Sequence, residues 1–297
     1  MEVEQVLDIL KQGADAHVSE DQLPPMVANN SKELLQPEVG ELYTDQLATF
    51  IKKGHVAGPF DSNPLENLRI NSIFSIDQGQ KIRPIMNLSH PAGTSYNDAV
   101  LKENIPKVHM NTAQDVAKTI GAMGKGAIMS KVDQEDAYKQ IHTKKQHLRL
   151  QGFSWLGKIF IELKLVFGSI SAVHNYDIVH KVFSNILRLK TEIEPEKILR
   201  ILDDFILITP SVEENKMFME EYIKFANACN IPLAPTSKPD KSFLYKTEGK
   251  LLGIIFNTKT MSWALPKDKA DKYQYVIQRI TRSKTCTSGC FRGFWGS

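Results

Sequence analysis

Ile201-Leu202-Asp203-Asp204-Phe205-Ile206-Leu207-Ile208 sets two adjacent carboxylates inside an otherwise apolar run. Burying even one unpaired carboxylate costs several kcal/mol, so the run reads as two short strands with Asp203-Asp204 exposed at the turn between them. Asp is a common turn residue, and taken alone the pair reads as a hairpin turn. At the tip of two strands the same pair can also hold metal ions. The choice rests on what lies upstream.

Upstream, Lys131-Val132-Asp133-Gln134-Glu135-Asp136-Ala137-Tyr138 follows the apolar Ala127-Ile128-Met129. A strand ending in Asp133 would lie beside the Asp203-Asp204 hairpin. Two divalent ions about 4 Å apart need bridging carboxylates from separate elements, a spacing suited to in-line phosphoryl transfer. Three aspartates from two strands supply that set. Between them lie Leu165-Val166-Phe167-Gly168-Ser169 and a stretch with apolar Ala172, Tyr176, Val179, Phe183 and Ile186, the spacing of a core-facing helix.

Further motifs keep the same order along the chain: Gly58-Pro59-Phe60, Lys81-Ile82-Arg83-Pro84-Ile85-Met86-Asn87-Leu88, Ser95-Tyr96-Asn97-Asp98, Leu150-Gln151-Gly152-Phe153, Ile231-Pro232-Leu233-Ala234-Pro235 and Leu251-Leu252-Gly253-Ile254. With these in place, the chain from about Gly58 to Pro266 resembles the reverse transcriptases, most closely those of DIRS-like, tyrosine-recombinase retrotransposons. Each motif alone is weak; the order and spacing carry the resemblance.

The resemblance implies an α+β right-hand polymerase fold, an antiparallel palm sheet backed by helices, with fingers and a partial thumb. It implies that Asp133, Asp203 and Asp204 are the catalytic carboxylates and hold two Mg2+, or Mn2+, with the main-chain carbonyl of Gln134 as a further ligand. Lys81 and Arg83 match the fingers pair that grips the triphosphate, a task suited to the planar fork of Arg. Tyr138 falls where an aromatic ring excludes a ribose 2′-hydroxyl, Gly168 where backbone approaches nucleotide or template, and Leu252-Gly253 where the primer end is held. The implied reaction is RNA-directed DNA synthesis from dNTPs on a DNA primer and an RNA or DNA template. Ribonuclease H and recombinase domains are expected elsewhere in an intact element. The sequence departs from the family at Ile201, at Val166 and Val173, which replace prolines, and at Asn175-Tyr176. Val166, Ile201 and the abrupt tail favour an alternative, a catalytically inactive nucleic-acid-binding remnant. An RNA-dependent RNA polymerase shares the metal-binding carboxylates, and Tyr138 speaks against it.

With 297 residues and 42% hydrophobic content the chain can bury one large core or two modest ones. A net charge of +3 argues against a basic tail and for local patches. Two candidates are Lys139, Lys144, Lys145, His147 and Arg149, and the Lys267 to Ser283 helix with its Lys and Arg residues and an apolar face of Ala270, Tyr273, Val276 and Ile280. Cys229, Cys286 and Cys290 give no disulfide framework. The acidic start lacks a signal-like apolar run and no stretch is long enough to span a bilayer, so an intracellular, non-secreted protein is expected. The expected domains are 1–57, a segment of unclear role with helices at Val3 to Lys11 and Thr44 to Lys53; 58–258, fingers and palm; and 259–297, the start of a thumb. Within fingers and palm, strands Ile70 to Ile76 and Lys81 to Leu88 form a hairpin, and helices span Thr112 to Met123 and Val212 to Cys229. The tail Thr285 to Ser297 has no usable period; in relatives the corresponding stretch begins another helix, so the resemblance implies a truncation or an out-of-frame end.

Overall fold

The computed structural model describes residues 2–19, 23, 26–77 and 82–282. It is an α+β fold in which the chain contributes alternately to two compact units. The first comprises Met1–Met110, Gln134–Ile193 and Glu221–Leu233; the second comprises Asn111–Asp133, Glu194–Glu220 and Ala234–Ser297.

In the first unit, strands β1 (Val56–Phe60), β2 (Ile70–Asn71), β6 (Gly152–Trp155) and β7 (Lys158–Glu162) form a four-stranded sheet in the order β1-β7-β6-β2. Strands β3 (Ile73–Asp77) and β4 (Ile82–Met86) make a separate hairpin. The strand expected from Ile70 to Ile76 is therefore broken at Ser72. Asn71 explains the break: its buried amide donates to the carbonyls of Leu150 at 2.8 Å and Gly152 at 3.2 Å, tying β2 to β6. The hairpin turn and Lys81 lie outside the described residues.

Helices α1 (Glu2–Gln12), α2 (Pro37–Lys52) and α4 (Ile170–Thr191) complete this unit. Val6 and Ile9 of α1 are buried with Tyr176, Ile178 and Val182 of α4, so the N-terminal segment belongs to the core. Helix α2 begins seven residues ahead of the expected Thr44: Pro37 sits at its first position, where a missing N–H costs nothing. On α4 the expected Ala172, Tyr176 and Phe183 are buried, but Ile186 is exposed and Leu187 takes its place.

In the second unit, β5 (Ile128–Asp133), β8 (Ile198–Ile201), β9 (Asp204–Thr209) and β10 (Phe243–Lys246) form an antiparallel sheet in the order β10-β5-β9-β8. Phe205, Ile206, Leu207 and Ile208 are fully buried because β9 is central and covered on both faces. Ile206 and Ile208 pack with Val116 and Ile120 of α3 (Ala113–Met123), which a Thr112–Asp115 capping box starts. On the opposite face Phe205 stacks on Phe218 of α5 (Val212–Ala228), ring centroids 5.6 Å apart. Asn215 of α5 clasps that face: Ser130 Oγ donates to its Oδ1 at 2.6 Å, and its amide donates to the Ile128 carbonyl and Thr209 Oγ1, both at 3.1 Å.

A second sheet of β11 (Glu248–Leu251), β12 (Ile254–Asn257) and β13 (Ser262–Ala264) precedes α6 (Lys267–Arg282). Ala270, Tyr273, Val276 and Ile280 are the half-covered face of α6, as their spacing predicts. Residues beyond Arg282, including Cys286 and Cys290, are outside the described residues. Among the described residues no helix is long and apolar enough to cross a membrane.

Candidate active site

The carboxylates predicted from sequence converge on one end of the second unit's sheet. Asp133 closes β5 and lies directly opposite Asp204, the first residue of β9. Asp203 fills the two-residue turn before it, after Leu202 in a left-handed conformation at φ +54°. The two aspartates are half-buried rather than exposed at the tip, because β9 takes up Asp204 and draws it under its neighbours.

Side chains alternate along a strand, so Lys131 stands on the same face of β5 as Asp133. Its ammonium is 3.1 Å from Asp204 Oδ1, close enough for an ion pair but outside hydrogen-bond geometry. It also donates to the Asp240 carbonyl at 3.3 Å. Lys241 reaches the other carboxylate, donating to Asp133 Oδ2 at 2.9 Å. Neither lysine was singled out in the sequence as a site residue. Two-residue spacing from Asp133 marks Lys131, but no local signal marks Lys241, which lies 108 residues from its partner.

The electrostatics follow from this crowding. Burial pushes the Asp204 carboxyl up to about 6, against the pull of Lys131. Asp203 is raised as well, by burial first and by the negative charge of Asp133 second. Lys241 is raised: burial acts to lower it, and the hydrogen bond and charge of Asp133 outweigh that. Among the described residues no three His, Cys, Asp or Glu side chains gather in the geometry of a bound ion. The donor types still suit a hard cation: carboxylates from Asp133 on β5, Asp204 on β9 and Asp203 in the adjoining turn, with Asp204 Oδ1 facing Lys131.

The other predicted residues fall into two groups. Leu252 and Gly253, at φ +52° and +75°, form the two-residue turn between β11 and β12 in the second unit. A side chain at Gly253 would meet Lys269 Nζ at 2.6 Å. Gln134, Arg83, Tyr138 and Gly168 belong to the first unit. The Arg83 guanidinium lies 5.5 Å over the ring of Phe167, and Tyr138 meets that ring edge-on at 6.0 Å. Tyr138 also packs on Tyr176 at 5.3 Å, and Tyr176 Oη donates to the buried Gln134 Oε1 at 2.7 Å. Phe167 thus joins two residues the sequence singled out separately. The bridge between Gln134 and Leu233 is made by the N–H groups of Glu135 and Ala234, which leaves the Gln134 carbonyl outside those bonds. Gly168 needs its glycine for φ +95°, and its carbonyl accepts from Asn97 at 2.9 Å.

Three residues of one expected basic patch are engaged in internal pairs, while Lys145 is exposed. Lys139 pairs with Glu162 at 2.7 Å, Lys144 with Asp15 and Asp8, and His147 with Asp15 at 3.2 Å. Lys267, Lys272 and Arg279 of α6 remain exposed.

No family model matches the chain, and no curated protein matches its sequence. Its fold is similar to solved structures. The foamy viral protease-reverse transcriptase in complex with an RNA/DNA hybrid gives a TM-score of 0.63 at 15% identity, over 86% of this chain and 30% of that one. The dRH form in complex with ds DNA gives 0.60 at 16% identity, over 92% and 41%. Another complex with dsDNA gives 0.59 at 14%, over 92% and 54%. The chain therefore spans 30% of the first of these proteins and 41% of the second. At such identities the likeness establishes the fold, that of a reverse transcriptase polymerase region.

Proposed function

We propose that this chain carries an RNA-directed DNA polymerase activity, adding a deoxynucleoside monophosphate to a primer 3′-hydroxyl with release of pyrophosphate. The observation that carries the reading is the placement of Asp133 opposite Asp204, with Asp203 in the adjoining turn, in a reverse-transcriptase-like fold. In this reading Asp133, Asp203 and Asp204, with the Gln134 carbonyl, hold Mg2+, which would supply charge neutralisation for the triphosphate and for the attacking oxygen. Lys131 holds Asp204 in place on the shared face. Arg83 binds the triphosphate with Lys81, and Phe167 braces it. Tyr138 excludes the 2′-hydroxyl, Gly168 admits nucleotide or template, and the Leu252-Gly253 turn holds the primer end; these roles rest on the resemblance of the motifs. The substrates are dNTPs, a DNA primer and an RNA or DNA template held mainly through phosphates. The element type is a DIRS-like retrotransposon, with ribonuclease H and recombinase domains encoded beside this region and action inside the cell.

A second reading, a nucleic-acid-binding scaffold without catalysis, is favoured by the lysine pairing of Asp133 and Asp204. Primer extension on an RNA template with dNTPs or NTPs decides. Extension with dNTPs supports the polymerase, extension with NTPs alone points to an RNA polymerase, and salt-sensitive binding without extension leaves the scaffold.

A further inference from the structure

The first unit carries a cleft that the polymerase reading does not use. It lies between the start of α2 and the tip of the β6–β7 hairpin, and its volume is about 510 Å³, within the range of ligand pockets. Trp155 forms its floor, buried and donating from Nε1 to Thr44 Oγ1 at 3.0 Å. Leu35 and Leu156 stand at its mouth, 73% and 74% exposed.

Local structure disfavours three features of this cleft. Leu156-Gly157 is the two-residue turn of a hairpin with both residues left-handed, φ +47° and +75°. That turn prefers Asn or Asp at its first position, and a leucine there is strained. The same Leu-Gly turn recurs at Leu252-Gly253, but Leu252 packs against a core cluster, whereas Leu156 is held out into solvent. Glu41 and Asp45, both exposed and without a cationic partner among the described residues, lie one helical turn apart, where like charges repel. Gly40 weakens the interior of α2, but a side chain there would stand 3.6 Å from the Trp155 ring and 3.1 Å from the Leu34 carbonyl. A strained apolar residue, a repelling acidic pair and a helix-weakening glycine thus surround one apolar floor.

We infer that this cleft docks a segment of a partner protein that presents a bulky apolar side chain flanked by lysine or arginine. The apolar anchor covers Trp155 between Leu35 and Leu156, and the basic flanks neutralise Glu41 and Asp45. The acidic rim excludes a nucleic-acid backbone. This inference is independent of catalysis.

Fluorescence anisotropy with a labelled synthetic peptide, a central Trp-Leu pair with Arg-Lys on each side, tests it on the whole chain. Saturable binding is expected, weakened by about tenfold or more by Leu156→Asn, by Glu41→Gln with Asp45→Asn, and by Ser-Ser in place of Trp-Leu in the peptide. Leu156→Asn should melt no lower than wild type, because Asn suits the turn better. Absence of saturable binding, equal binding of the Ser-Ser peptide, unchanged binding by Leu156→Asn, or a clear fall in its melting temperature would each overturn the inference. Self-association lost on Leu156→Asn would assign the face to a second copy of the chain and overturn it too.

Discussion

Asp133 and Asp204 stand directly opposite each other across β5 and β9, two carboxylates in register on one face of a sheet. Like charges so placed destabilise a strand pair. Lys131 and Lys241 each engage one of them, which offsets the repulsion without removing the burial cost on Asp204. The sheet end is thus built against its own stability, as sites that bind cations or do chemistry often are.

That cost should be visible as a pH dependence. Asp204 titrates near 6 in the fold against 3.8 ordinarily, so its proton is held more tightly in the folded state. Its stabilising contribution is complete below the ordinary value and lost as pH rises through about 6, amounting to about 3 kcal/mol. Asp204→Asn removes this dependence. Its melting temperature relative to wild type should be higher at pH 8 than at pH 4.5; an equal difference at both would refute the assignment.

The clasp at Asn215 should matter more to folding than to function. It is fully buried and bonded to Ser130, Thr209 and the Ile128 carbonyl. Asn215→Ala should cost about 3 kcal/mol in urea denaturation, since three buried bonds are lost, whereas Lys216→Ala at the exposed neighbouring position should cost under about 0.5 kcal/mol.

The parts of the fold legible in the sequence are those where pattern and chemistry agree. A strand ending in Asp133 beside the Asp203-Asp204 hairpin follows from an apolar run interrupted by charge, and the α6 face follows from spacing. The rest depends on non-local contacts or is hidden by local chemistry. Lys241 meets Asp133 only after 108 residues of chain, and Asn71 splits a strand through bonds to Leu150 and Gly152. The first turns of α2 carry Pro37 and Gly40, which hide a helix from periodicity because one is tolerated only at a helix start and the other weakens its interior. Ile186 fits the apolar spacing on α4 yet faces out, since at that end of the helix the core lies toward Leu187.

Tyr138 separates sugar discrimination from packing. It is half-buried against Phe167 and Tyr176, so Tyr138→Val should lower the melting temperature somewhat by opening space beside those rings. A sugar-excluding role predicts in addition that the dNTP to NTP ratio of kcat/KM narrows by about tenfold or more, through better NTP use. A lower melting temperature with an unchanged ratio would reduce Tyr138 to a packing residue.

Nucleic-acid binding should be electrostatic. Affinity for a primer-template duplex should fall steeply between about 50 and 200 mM salt, with a slope of roughly −0.9 per phosphate contact on duplex DNA. Lys272→Ala with Arg279→Ala, both exposed on α6, should reduce that slope. Salt-independent binding would remove the polymerase and scaffold readings together.

Single-turnover primer extension by wild type, Asp133→Asn and Asp203→Asn, each beside its primer-template Kd, tests the central assignment most directly. If these carboxylates carry the chemistry, both variants should lose extension by about a thousandfold or more while Kd stays within a few-fold. Extension at the wild-type rate by either variant would contradict the assignment.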